Sequence, residues 1–157
     1  GGKTAELFGA ACQSGAIIAK GNDKQIKASY DYGYNIGIAF QIIDDVMDFT
    51  EERKTTGKNI GDDFKSGKTT LPVILAWKKS DKKEKDFWLR TMKMLDQKES
   101  DLQLAKEIIK KYGIINKCRE IASNSINISL DALKTFPDNK YKSSLEKFAK
   151  DSLLRNN

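Results

Sequence analysis

Along residues 37–48, GIAFQIIDDVMD, polar positions are few and confined. Placed on a helix at about 100° per residue, Gly37, Gln41, Asp44, Asp45 and Asp48 fall in one narrow stripe. Ile38, Ala39, Phe40, Ile42, Ile43, Val46, Met47 and Phe49 occupy the rest of the circumference. A surface helix has the reverse proportions, so this helix is expected to be buried on most sides, with its carboxylates on an inward or cleft-facing line. Apolar periodicity predicts further helices, giving the set 3–20, 23–50, 70–79, 83–96, 101–112, 114–135 and 138–155. Strand signals are nearly absent, and Pro72 and Pro137 read as helix punctuation. The fold class is therefore all-α.

Two apolar stripes, one through Asp101, Leu102, Leu104, Ala105, Ile108 and Ile109, the other through Ile121, Ala122, Ile126, Leu130 and Leu133, mark scaffold helices. The first helix, KTAELFGAACQSGAIIA, is rich in Ala and Gly, which suits close helix packing or the approach of a ligand to backbone.

Carboxylates are rarely buried unless they are paired or bound to metal. Asp44 and Asp48 stand one turn apart, and at an effective dielectric near 20 their repulsion is about 3 kcal/mol. A cation is expected beside them. The loop that follows, from Thr50 to Pro72, holds Gly57, Gly61 and Gly67 with Lys54, Lys58, Lys65 and Lys68. Mg²⁺ takes oxygen ligands, typically one or two carboxylates plus substrate phosphates and water, and lysines neutralise the remaining phosphate oxygens. The alternative is a solvated acidic helix end followed by a basic loop.

The 157 residues amount to one domain, 39% apolar and 32% charged. No apolar run approaches a membrane span, and no signal-peptide pattern is present. Histidine is absent, which removes Ser–His and Cys–His catalysis and most zinc sites within these residues. Cys12 and Cys118 sit in apolar helical patterns and read as buried thiols in a reducing compartment, consistent with a cytoplasmic location. The net charge of +6 raises nucleic-acid binding as an alternative. The excess is lysine interspersed with acids, however, which is the pattern of solvated helix faces. No nucleic-acid motif accompanies it.

These motifs resemble the trans-polyprenyl diphosphate synthases. The G-x-x-F-Q-x-x-D-D-x-x-D pattern, that family's second aspartate-rich motif, is complete in Gly37, Phe40, Gln41, Asp44, Asp45 and Asp48. The loop GKNIGDDFKSGKTTLP matches the family's G-K loop, and Lys3, Thr4, Ala5, Leu7 and Phe8 match its K-T-A-x-L-F element. The loop resembles the medium- and long-chain bacterial, octaprenyl-type synthases more than the farnesyl enzymes. The resemblance implies an isoprenoid synthase-type helical bundle and Mg²⁺-dependent condensation of isopentenyl diphosphate with an allylic prenyl diphosphate. It also implies a homo-oligomer.

By the same resemblance, Asp44 ligates Mg²⁺ directly, and Asp45 and Asp48 ligate it directly or through water. Lys3, Lys58 and Lys68 bind the allylic diphosphate. Thr4 and Gln41 face the reacting cation. The first aspartate-rich motif is missing, so residues 1–157 are expected to be the C-terminal part of a single synthase domain, inactive alone. The alternative is a non-catalytic remnant or a subunit needing a partner chain. Two near-matches fail. A P-loop needs four residues between its first Gly and Gly–Lys, and Gly61 and Gly67 are separated by five. The terpene cyclase motif needs Ser or Thr where Asp48 stands.

Overall fold

The computed structural model describes residues 2–50 and 61–153. Its elements are α1 (Gly2–Ile18), α2 (Asp23–Met47), α3 (Asp62–Lys65), α4 (Leu71–Lys79), α5 (Lys82–Trp88), a π-helical turn (Leu89–Lys93), α6 (Asp101–Lys111), α7 (Ile114–Leu133) and α8 (Lys140–Asp151). No strand occurs among the described residues, as the periodicity requires. The chain groups into two compact units, Gly1–Ile43 with Glu120–Asn157, and Asp44–Arg119.

In the first unit, α1 and α2 meet through small residues. A Cβ on Gly37 would lie 2.6 Å from Ala5 Cα, and one on Gly33 would lie 2.3 Å from the Phe8 carbonyl oxygen. A Cβ on Gly9 would meet the Tyr30 ring at 2.8 Å. Gly33 and Gly37 therefore serve backbone approach and Gly9 makes room for the Tyr30 ring, the packing purpose of the two that the sequence allows. Phe8 and Phe40 add a tilted ring contact across the same pair. Tyr32 donates its hydroxyl hydrogen to the Leu145 carbonyl at 2.9 Å and ties α8 to α2. On α7, Ala122, Ile126 and Leu133 are buried. Ser125 and Ser129 are buried beside them, but each satisfies its hydroxyl on α7's own backbone, at Ile121 and Ile126. A scaffold helix tolerates such residues because they ask nothing of their neighbours.

The second unit begins at Asp44, within the last turn of α2, and α2 stops at Met47 rather than the expected residue 50. The Asp48 carbonyl accepts the Gly61 N–H at 3.1 Å. α3 is a one-turn helix inside a segment expected to be all loop. α4 opens with Pro72 in its first turn. α5 carries a reciprocal capping box between Asp81 and Glu84. Its Trp88 is buried, with the indole N–H donated to Ser80 Oγ at 3.1 Å.

The helix expected over 83–96 changes to a π-helical turn at Leu89 and ends at Lys93, with Leu95 in the left-handed region at φ 56. A side-chain clasp accounts for this. Arg90 makes a two-pronged ion pair with Asp101 at 2.8 and 2.9 Å, which draws the turn against the start of α6. Asp101, counted with an apolar stripe in the sequence, is thus buried as an ion-paired carboxylate. Ala105, Ile108 and Ile109 are buried on α6, while Leu104 of the same stripe stays exposed.

Candidate diphosphate and metal site

Gly61 stands at the N-cap position of α3 in a left-handed conformation, φ 85, and has no side chain to offer the helix's free N–H groups. Asp48 supplies the missing acceptor from fifteen residues upstream. Its carboxylate accepts the Asp63 N–H at 3.3 Å and the Phe64 N–H at 3.1 Å. The residue is fully buried, at 0% exposure. A carboxylate facing backbone N–H groups at a helix start is stabilised by hydrogen bonding and by the helix dipole. The burial of Asp48, which the sequence attributes to a nearby cation, thus has an amide partner. Asp45 is also buried, and its carboxylate accepts the Leu71 N–H, at 3.4 Å, where α4 begins. Asp44 is half-buried.

Lys68 follows α3 and donates its ammonium hydrogen to Asp63 Oδ1 at 3.1 Å. The Asp63 carboxylate raises the lysine's pKa, burial opposes this, and Asp45 and Asp44 add to the rise through their charge. Lys68 therefore stands in the field of three carboxylates, which favours its charged form. Its side chain stays 55% exposed, open to a larger anion. Burial pushes the Cys118 thiol up to about 11, with a further contribution from Asp45.

In the first unit, Thr4 Oγ1 donates to Gln41 Oε1 at 3.3 Å, so the structure brings this pair together. Lys3 is exposed one residue earlier. Lys58 lies outside the described residues. Asp63, the partner of Lys68, is a site residue that the sequence motifs do not single out. The signal that could have found it is an acid five residues before a lysine in a glycine-bounded loop, close enough to pair once the loop makes a turn.

Among the described residues, no cluster of three or more acidic or cysteine side chains forms a ligand set. The donors present nevertheless suit a hard cation that uses one or two carboxylates and takes its other ligands from substrate and water. Asp63 Oδ2 and the Thr70 hydroxyl are buried without a hydrogen-bond partner among the described residues. Such oxygens cost about 1–3 kcal/mol each until something satisfies them. Both lie in the loop that carries Lys68. No helix among the described residues is long and apolar enough to cross a membrane.

Comparison with known proteins agrees with this composition. The family model described as Polyprenyl synthetase matches residues 1–112. The chain is 34% identical over 155 residues to the octaprenyl diphosphate synthase of Haemophilus influenzae, covering 98% of this chain and 46% of that protein. It is 35% identical over 136 residues to the geranylgeranyl diphosphate synthase of Saccharolobus solfataricus, covering 87% of this chain and 41% of that one. Among solved structures, a polyprenyl synthase from Caulobacter crescentus CB15, complexed with calcium and isoprenyl diphosphate, superposes with a TM-score of 0.91. Identity there is 39%, over 99% of this chain and 47% of that one. The chain thus spans less than half the length of these relatives.

Proposed function

Because this chain belongs to the polyprenyl synthetase family, we propose that it carries a diphosphate- and Mg²⁺-binding part of a prenyltransferase. The reaction joins isopentenyl diphosphate to an allylic prenyl diphosphate. The allylic carbon–oxygen bond breaks, and its electron pair leaves with the diphosphate. The double bond of isopentenyl diphosphate attacks the allylic cation, and a proton is lost to the released diphosphate. Bound Mg²⁺ supplies charge neutralisation on that diphosphate.

The chain's own residues hold and orient. Asp44 is the direct metal ligand. Asp45 and Asp48 act behind it, through water and by fixing the starts of α4 and α3. Lys3, Lys58 and Lys68 bind the allylic diphosphate, whose growing charge strengthens these contacts as the bond breaks. Thr4 and Gln41 turn oxygen atoms toward the allylic cation. Residues 1–157 are the C-terminal part of the synthase domain and do not turn over alone, since a single D-D-x-x-D motif, Asp44–Asp45–Asp48, is present. The protein works as a homo-oligomer, a reading favoured by the exposed apolar side chains Leu7, Ile17 and Ile18 of α1.

The observation that carries this reading is Lys68, exposed and paired with Asp63 in the loop that Asp48 pins. Calorimetric titration of the chain with inorganic diphosphate tests it. Binding should require Mg²⁺, Asp44→Ala should abolish that requirement along with tight binding, and Lys68→Ala should weaken binding with the metal requirement kept. Metal-independent binding, unchanged in Asp44→Ala, would overturn the assignment. A second reading, a subunit that needs a partner chain, is favoured by a Bacillus subtilis relative named heptaprenyl diphosphate synthase component 2, 35% identical over 150 residues. Labelled substrates with and without an added N-terminal synthase half would distinguish the two.

A further inference from the structure

The segment from Leu89 to Asp101 is built around one side chain. Gln97 donates its amide hydrogens to two carbonyls, Thr91 and Phe64, each at 2.9 Å. Thr91 lies in the π-helical turn, and Phe64 lies in α3, more than thirty residues upstream. The Phe64 carbonyl also accepts the Gly67 N–H at 2.9 Å, so one oxygen joins Gln97 to the residue before Lys68.

Leu95 closes on the same place. A Cβ on Gly67, φ 68, would lie only 2.2 Å from Leu95 Cδ2, and Leu95 itself is held at φ 56. A left-handed backbone costs a non-glycine residue free energy, so its neighbours must impose it. Arg90 imposes it from one side, donating to the Asp96 carbonyl and to Asp101. Asp101 does so from the other, accepting the Lys98 N–H at 2.6 Å.

We infer that Gln97 is a positioning residue for Lys68, the turn Leu89–Asp101 latching the glycine loop at Phe64 and Gly67 and so holding the lysine against Asp63. The latch deepens the function proposed above and rests on its reading of Lys68 as a diphosphate-binding residue. Gln97 acts through the Phe64 carbonyl, which fixes Gly67 and with it the direction in which the chain delivers Lys68.

The test combines competitive acetylation of lysines by acetic anhydride, read by mass spectrometry, with calorimetry on the whole chain. An ammonium held by a carboxylate acetylates slowly, so Lys68 should react more slowly than the exposed Lys83. Gln97→Met, of similar shape but without the donor, should raise the Lys68:Lys83 ratio severalfold. Gln97→Asn keeps the amide but falls one methylene short. It should move the ratio in the same direction, and it serves should Gln97→Met not fold.

With inorganic diphosphate and Mg²⁺, Gln97→Met should weaken binding by about tenfold when Lys68 is present and by nothing further on a Lys68→Ala background. A general loss of structure would weaken both backgrounds alike. An unchanged acetylation ratio in a folded variant, or equal losses in both backgrounds, overturns the inference. If the wild-type chain binds no diphosphate, the proposed function fails, and acetylation alone decides whether the latch exists.

Discussion

Replacing Asp48 by alanine should weaken the second unit strongly. The carboxylate is at 0% exposure and accepts two backbone N–H groups, at 3.1 and 3.3 Å. The Asp63 and Phe64 amides sit at the start of α3, and Gly61 offers no substitute cap. Alanine leaves both donors without an acceptor. One unsatisfied buried donor costs about 1–3 kcal/mol, and Phe64 N–H is the more deeply buried of the two. Allowing water to reach the Asp63 amide, the loss is about 3 kcal/mol, more than a hundredfold in the folding equilibrium.

Asp48→Asn keeps one carbonyl oxygen, so about half that loss is expected. Urea denaturation followed by tryptophan fluorescence reads the relevant region, because the two tryptophans, Trp77 and Trp88, belong to the same unit as Asp48. With a slope near 2 kcal/mol per M urea, the Asp48→Ala midpoint should fall by about 1.5 M. Asp44→Ala, whose side chain is only half-buried, should move the midpoint much less while removing the metal requirement of diphosphate binding. An Asp48→Ala midpoint within about 0.2 M of wild type, at unchanged slope, would show that the carboxylate does not carry α3.

Two further outcomes follow from shifted ionisations. The Arg90 guanidinium holds the Asp101 carboxyl below the ordinary range against the opposing effect of burial, with the Lys98 N–H helping. A lowered carboxyl stabilises the fold fully above its unfolded value near ~4 and loses that contribution as pH falls through the folded value. Asp101→Asn should therefore be less stable at neutral pH and lose less on acidification, measured as urea midpoint against pH. Equal acid slopes would contradict the pairing. For the thiols, burial raises both Cys12 and Cys118, the latter to about 11. A disulfide reagent near pH ~8 should label half-buried Cys12 slowly and buried Cys118 only on unfolding. Rapid labelling of both thiols in the native chain would count against these environments.

How far the sequence reached can be told from α2. The stripe of Gly37, Gln41, Asp44, Asp45 and Asp48 was legible because helical periodicity is local: side chains one turn apart share a face whatever surrounds them. All-helical architecture and the match of the glycine loop to a family pattern were legible for the same reason. The small residues of α1 were legible as such, but their purpose was not: the structure puts the close backbone approach at Gly33 and Gly37 of α2, against Phe8 and Ala5.

Tertiary structure alone decided what each carboxylate meets. Asp48 caps α3 across fifteen and sixteen residues, Asp101 pairs with Arg90 across eleven, and Lys68 finds Asp63 only once α3 turns the loop back. The break at Leu89 was equally hidden, since the sequence there supports an ordinary helix, and a side-chain clasp from the start of α6 alters it. Periodicity reports which face a residue occupies. Which acceptor a buried N–H obtains depends on chain segments brought together by folding, because burial demands a partner without specifying its position in sequence.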